Sequence, residues 1–199
     1  MDPAVHDRVL TVPNALSVLR LALIGVFLYL LLAADAEFAA AVVLIIAGAS
    51  DWADGKIARL YNQSSRLGEL LDPAVDRLYM VIVPLALAVH SLVPWWFVAA
   101  LLGRDGLLAA TLPLLRRRGW TALPVTYLGK AATFALMAGF PLLLLGQQEA
   151  VWSRVLGAGG GAFLCWGLYL YLWTGVLYLL QVGLVLRTPP AVRTGGGGG

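Results

Sequence analysis

The sequence predicts an all-α integral membrane protein of six transmembrane helices. Hydrophobic residues make up 60% of the 199 residues, and the mean hydropathy is +0.83. Charged residues make up 13%, whereas a soluble domain carries roughly 25%. Long apolar runs recur along the whole chain with short polar stretches between them. Because about 20 apolar residues in a helix cross the hydrocarbon of a bilayer, these runs predict spans.

Six apolar segments can be placed in order along the chain. Pro13 and Asn14 predict the start of the first helix, with Asn14 as its cap. Several segments are shorter than the ~20 residues of a full span, so we expect their polar ends to line a shared interior cavity. The segments are residues 15–34, 38–50, 78–92, 95–115, 125–145 and 155–186.

Residues 1–187 are expected to form one membrane domain. No small-residue cleavage site follows the first apolar run, so we expect that span to be retained. Residues 5–12 could lie in the membrane interface as a short amphipathic helix, and an ordinary lead-in segment fits them equally well. Residues 188–199 contain two prolines and end in five glycines, so they are expected to form a disordered tail.

The distribution of basic residues predicts the orientation. With six spans, the loops and ends of one side hold most of the Lys and Arg, whereas the other side holds Arg154 with Asp35, Glu37 and Glu149. The positive-inside rule places the basic side, and both termini, in the cytoplasm, as expected of a multi-pass protein of the cell membrane. The net charge of +3 is too small to favour nucleic acid as a partner. The basic side holds Arg8, Lys56, Arg59, Arg66, Arg77, Arg116, Arg117, Arg118, Arg187 and Arg193.

An acidic cluster at this cytoplasmic side is the main functional candidate. Asp51 and Asp54 are three residues apart, and Asp72 and Asp76 are four apart, so each pair shares one face of a helix. A loop over residues 60–67 would return the chain antiparallel and let the two pairs face each other. Four convergent carboxylates repel one another unless cations bind between them. Such all-oxygen ligation selects Mg²⁺, Mn²⁺ or Ca²⁺ rather than zinc.

Small and basic residues beside the first pair complete a site for a diphosphate. Gly55 and Ala58 would let a ligand approach the backbone closely, and Arg59 could hold a phosphate through two hydrogen bonds. Two metal ions can bridge a diphosphate and stabilise its leaving oxygen. One pair of aspartates alone is weak evidence, because solvated carboxylates at the interface are commoner than metal ligands.

The chain matches, without departure, the pattern D-x-x-D-G-x-x-A-R, then a spacer of eight residues, then G-x-x-x-D-x-x-x-D. The eight residues at its fixed positions are Asp51, Asp54, Gly55, Ala58, Arg59, Gly68, Asp72 and Asp76. The chain thereby resembles the CDP-alcohol phosphotransferase family. The resemblance implies six transmembrane helices, a homodimer and a transferase that releases CMP with two divalent cations, Mg²⁺ or Mn²⁺, at its cytoplasmic side. Asp51, Asp54, Asp72 and Asp76 would be the metal ligands, and Asp76 the general base. The CDP-linked donor would contact Asp54, Gly55, Ala58, Arg59 and Gly68.

Further motifs resemble one branch of this family. The start R-V-L-T-V-P-N-A-L and the later G-R-D and L-G-K-A-A-T-F are similar to CDP-diacylglycerol-dependent cardiolipin synthases of actinobacteria. This implies transfer of a phosphatidyl group from CDP-diacylglycerol to phosphatidylglycerol. Phosphatidylglycerophosphate synthesis, with glycerol 3-phosphate as acceptor, is the alternative. A non-enzymatic cation or lipid transporter would need a polar path to the far side, and the charges within the spans lie on the cytoplasmic half.

Three cations within the spans are candidates for binding an anionic acceptor. Arg20, Arg104 and Lys130 interrupt apolar segments. A charge placed within a span is energetically costly, which makes each of these residues a candidate for a functional role. Alternatively, Arg104 pairs with the adjacent Asp105, or these side chains extend to the interface.

Overall fold

A computed structural model describes residues 12–61, 66–117 and 127–187, and for some of them, including 51–61 and 66–72, the backbone alone. These ranges contain six α-helices and no strand, which confirms the all-α prediction for this part of the chain. Residues 1–11 and 188–199, which include most of the proposed interfacial segment and the whole proposed tail, lie outside the description. The helices are α1 (Val12–Leu32), α2 (Glu37–Tyr61), α3 (Arg66–Val89), α4 (Trp95–Arg117), α5 (Tyr127–Leu145) and α6 (Val151–Arg187).

Three of these helices are long and apolar enough to cross a membrane, at Trp95–Leu115, Tyr127–Leu145 and Val151–Leu186. Shorter apolar helical stretches cover Ser17–Leu32 and Glu37–Ser50. The 37 residues of α6 extend over about 55 Å, well beyond the ~30 Å of the hydrocarbon. The described helices therefore support a membrane protein, whereas six spans and cytoplasmic termini stay predictions.

The helices around the acidic motif extend beyond the predicted apolar segments, which end at residue 50 and begin at residue 78. The helix α2 continues through the motif to Tyr61, and α3 begins at Arg66, so both aspartate pairs lie on helices as predicted. The predicted loop over residues 60–67 is therefore too long, because hydropathy marks only the lipid-facing part of a helix. The predicted cap is also wrong. The helix α1 begins at Val12, so Pro13 lies in its first turn, where a missing N–H is tolerated.

The principal helix contacts form a closed circuit. The helix α1 packs against α2 and α3, α2 packs against α5, α5 against α6, and α6 against α4, which also touches α3. Buried apolar side chains from this circuit form one core, including Phe27 of α1, Leu44 of α2, Leu87 of α3 and Phe140 of α5. Among the described residues, α3 and α4 make the sparsest contact of this circuit.

One end of the bundle is held by contacts between its turns. Glu37 Oε1 lies 3.2 Å from His90 Nε2, which joins the start of α2 to the residue after α3. Ser91 adopts the left-handed region at φ 61°, and Leu92 N–H donates to Leu87 O over 2.8 Å. These are features of a Schellman cap. Asp76 lies thirteen residues before Val89 in α3, about 20 Å along the helix, so the acidic motif belongs to the other half of the bundle.

Candidate active site

The backbone places all eight motif residues on two consecutive helices. Asp51, Asp54, Gly55, Ala58 and Arg59 lie in the second half of α2, and Gly68, Asp72 and Asp76 lie in the first half of α3. The helical intervals predicted for both aspartate pairs are therefore present. Only Asp76 among the eight has a described side chain, so the convergence of four carboxylates stays a prediction.

Asp76 forms an ion pair with one of the predicted intramembrane cations. Arg20 Nη1 donates to Asp76 Oδ1 over 2.6 Å, which connects α1 to the motif. The Arg20 side chain is 2% exposed, whereas that of Asp76 is 53% exposed. A buried guanidinium is costly without a hydrogen-bonded partner. The Asp76 side chain thus contacts a buried cation of α1 while about half of its own surface stays exposed.

Asp76 lines a cavity of about 390 Å³ between α3, α4, α5 and α6. Its walls include two more of the predicted cations, Arg104 and Lys130. Arg20 does not line this cavity, although it touches Asp76. The structure therefore brings together the proposed base and two of the three proposed acceptor residues.

Arg104 takes part in a cluster at the wall formed by α4 and α6. Its Nη1 donates to Asp105 Oδ1 over 2.9 Å, which is the alternative pairing that the sequence left open. Its guanidinium carbon also lies 4.1 Å from the centroid of the Tyr171 ring. Pairing and cavity lining thus occur together, because the Arg104 side chain as a whole is only partly covered, at 20% exposure.

Sequence reasoning missed several polar residues of the cavity. Arg77 follows the proposed base directly and adds a further cation. The helix α6 contributes Tyr171, Thr174, Tyr178 and Gln181 to the lining. Their spacing of three or four residues was a detectable signal, since such spacing puts them on one helix face. It was overlooked because α6 carries no charge between Val155 and Leu186.

The cavity also has an apolar wall. Leu108, Ala109 and Leu112 of α4 line it together with Leu177 of α6. The α4 residues follow Arg104 on the same face, at intervals of four and eight for Leu108 and Leu112. A cavity with two carboxylates, three cations and this apolar wall can bind an anionic amphiphile, and a carboxylate there can take a proton from its hydroxyl group.

Comparison with known proteins gives a consistent family. Residues 10–181 match the sequence pattern described as CDP-alcohol phosphatidyltransferase. A protein of Mycobacterium tuberculosis, provisionally named a cardiolipin synthase, is 61% identical over 194 residues, covering 97% of this chain and 93% of its own. The resemblance drawn from the motif is thereby confirmed.

More distant relatives carry two different names. A protein of Streptomyces coelicolor named cardiolipin synthase (CMP-forming) is 44% identical over 190 residues, which cover 93% of this chain and 88% of its own. An Escherichia coli protein named CDP-diacylglycerol–glycerol-3-phosphate 3-phosphatidyltransferase is 29% identical over 174 residues, 84% of this chain and 92% of its own. The names agree on a transferase, which confirms the predicted enzyme class, and they differ in the acceptor.

Proposed function

This chain belongs to the CDP-alcohol phosphatidyltransferase family, and we propose that it is a cardiolipin synthase. It would transfer the phosphatidyl group of CDP-diacylglycerol to phosphatidylglycerol and release CMP. The names of the 61% and 44% identical relatives support this choice of acceptor. We further propose that it acts as a homodimer in the cell membrane, with its site on the cytoplasmic side.

The observation that carries the proposal is the shared cavity of Asp76, Arg104 and Lys130. Asp76 belongs to the donor motif, and the two cations come from helices outside it. A base must lie within hydrogen-bond reach of the hydroxyl that it deprotonates. A phosphodiester held by Arg104 and Lys130 would bring its glycerol hydroxyl to the same space as the Asp76 carboxylate.

The proposed reaction is a single displacement at phosphorus. The terminal hydroxyl oxygen of phosphatidylglycerol forms a bond to the phosphorus that carries the diacylglycerol. The bond from that phosphorus to the oxygen bridging to CMP breaks, and CMP leaves with the electron pair. The hydroxyl proton passes to Asp76. Holding the two lipids in line for this attack would supply much of the rate enhancement.

The residues of the motif suit a pair of divalent cations. Four aspartates on two consecutive helices offer oxygen ligands alone, and the Asp76 carboxylate is half exposed toward the cavity. Asp51, Asp54, Asp72 and Asp76 would hold two Mg²⁺ or Mn²⁺ ions, which neutralise charge on the diphosphate. Gly55, Ala58, Arg59 and Gly68 would surround the donor.

The apolar wall of Leu108, Ala109 and Leu112 favours a lipid acceptor over a soluble one. It follows Arg104 along α4 toward the end of that helix. An acyl chain could lie along this wall, whereas glycerol 3-phosphate needs no apolar wall. Phosphatidylglycerophosphate synthesis remains the second candidate, and the name of the Escherichia coli relative favours it.

Turnover by the purified protein tests the proposal. CDP-diacylglycerol and Mg²⁺ or Mn²⁺ are offered with phosphatidylglycerol or with glycerol 3-phosphate, and CMP release is followed with time. We expect CMP with phosphatidylglycerol and a product with the mass of cardiolipin. Release of CMP with glycerol 3-phosphate alone would replace the proposal by its second candidate. Release with neither would point to another acceptor alcohol.

A further inference from the structure

The side chain of Arg104 packs against Tyr171 and Gly175 of α6. The Tyr171 ring supports the guanidinium from one face, with 4.1 Å between its centroid and the guanidinium carbon. One turn later, Gly175 leaves a notch for the rest of the side chain. A Cβ atom at position 175 would lie 2.9 Å from Arg104 Cγ and 3.2 Å from Arg104 Nε, so any larger residue would displace the arginine.

A shared carboxylate oxygen fixes the other edge of the same group. Asp105 Oδ1 accepts from Arg104 Nη1 over 2.9 Å and from the Tyr171 hydroxyl over 2.7 Å. Tyr171 is 7% exposed, and its neighbour Thr174 lines the same cavity. The guanidinium is therefore held by its face, by one edge and by the notch at Gly175.

We propose that Tyr171 is a positioning residue that aims Arg104 at the anionic group of the acceptor, and that Gly175 is glycine to make room for this arrangement. The inference rests on the proposed function, because it assigns the cavity to the acceptor. A free arginine side chain loses rotamer entropy when it binds an anion. An arginine already held in place loses less, so the bound anion is stabilised without any additional contact.

A purely structural role for Tyr171 predicts a different result. The contacts of Tyr171 also join α6 to α4, so its loss could simply loosen the bundle. In that case kcat, both KM values and thermal stability would change together. If Tyr171 positions Arg104, the KM for the acceptor rises while the KM for CDP-diacylglycerol stays unchanged. The split between the two KM values is therefore the decisive measurement.

The test uses the full-length protein with two variants and a matched control. Tyr171→Phe removes the hydroxyl and keeps the ring, and Gly175→Ala fills the notch. Tyr169→Phe removes a hydroxyl from the same helix at a residue that stacks on Trp166 and is 55% exposed. We expect the acceptor KM to rise about tenfold in Tyr171→Phe, as loss of one hydrogen bond to a charged group would predict. It should also rise in Gly175→Ala, because the added Cβ would displace the Arg104 side chain. The control should match the wild type. An unchanged acceptor KM in Tyr171→Phe would overturn the inference.

Failure of the proposed function leaves the inference testable. If the wild type uses glycerol 3-phosphate rather than phosphatidylglycerol, the same split is measured with that acceptor. If neither supports CMP release, inorganic phosphate serves as the anion probe, and its effect on the melting temperature is titrated. Tyr171→Phe should then need about tenfold more phosphate than the wild type. An equal response of the two proteins, or none in either, would contradict the inference.

Discussion

Arg20 and Arg104 are both arginines within predicted spans, yet their surroundings give them different tasks. Arg20 is buried and donates to Asp76, whereas Arg104 lies at the cavity wall and is partly exposed. The sequence assigned both to the acceptor. The structure leaves that assignment open for Arg104 and gives Arg20 a contact with the proposed base instead.

Replacement of Arg20 distinguishes a role in holding Asp76 from a role in binding the acceptor. We expect Arg20→Ala to lower kcat by about a hundredfold, because a catalytic group displaced by an ångström can cost that much. The KM for the acceptor should change little, since Arg20 does not line the cavity. Steady-state kinetics with each lipid varied in turn measure both quantities. Arg154→Ala, which removes a cation at the other end of the bundle, is the control. A rise in acceptor KM alone would restore the acceptor role.

Replacement of the proposed base tests the proton transfer. Asp76→Asn keeps the shape of the side chain and a hydrogen-bond acceptor for Arg20, but it removes the group that takes the hydroxyl proton. We expect CMP release to fall by about 10²–10⁴-fold, the usual contribution of a general base. The melting temperature shows whether the variant is folded. A folded Asp76→Asn protein with wild-type turnover would exclude Asp76 as base.

Contacts between side chains that are far apart in the sequence could not be predicted from it. Asp76 could be predicted as a site residue because the motif is local. Its ion pair with Arg20 spans 56 residues, and the bond between Tyr171 and Asp105 spans 66. No short-range spacing encodes such pairs, since they depend on which helices pack together.

At the scale of the helices, α5 and α6 pack closely through glycine. A Cβ at Gly160 would lie 2.5 Å from the Leu143 backbone nitrogen, and one at Gly157 would lie 3.1 Å from Gly146 Cα. Of the glycines in residues 157–161, Gly157 and Gly160 therefore lie at the contact with α5. Gly159 and Gly161 have open space around the position of a Cβ, so a run of glycines in the sequence does not by itself give the register of the contact.

This register gives a matched pair of substitutions. Gly160→Ala should destabilise the protein by about 1–3 kcal/mol, because the backbone of α5 cannot yield as a flexible side chain could. Gly159→Ala, one residue earlier, meets nothing and should be neutral or slightly stabilising, since alanine favours a helix more than glycine does. Thermal unfolding in detergent compares the two. Equal melting temperatures would show that the close approach is relieved by a shift of the helices.

Helix boundaries were the weakest part of the sequence-based description. Residues 66–77 contain five charged side chains, Arg66, Glu69, Asp72, Asp76 and Arg77. The predicted apolar segment therefore begins after them, at residue 78. Backbone hydrogen bonding has no such preference, and a helix that leaves the lipid can continue into a polar cavity. The spacing of the aspartates, rather than hydropathy, predicted correctly that both pairs lie on helices.

At the scale of the whole molecule, the proposed metal ligands come from two helices and are tested together by removing the metal. We expect a chelator to abolish CMP release and Mg²⁺ or Mn²⁺ to restore it. In addition, either ion should raise the melting temperature, because a ligand that binds only the folded state stabilises it. Asp72→Asn should remove most of that rise. Full activity in the presence of chelator would contradict the proposed cofactor.

The orientation of the bundle can be tested with one reactive thiol at a time. The chain has a single cysteine, Cys165, so Cys165→Ser provides a background without thiols. The turn between α5 and α6 is exposed at Glu149, and Tyr127 at the start of α5 is 90% exposed. These positions lie at opposite ends of α5, a helix of 19 residues that spans about 28 Å.

If the basic side is cytoplasmic, Glu149→Cys should react with a membrane-impermeant maleimide in intact cells. Tyr127→Cys should react only after the membrane is opened. The reverse pattern would place the Asp76 cavity on the outer face and contradict the orientation predicted from the basic residues.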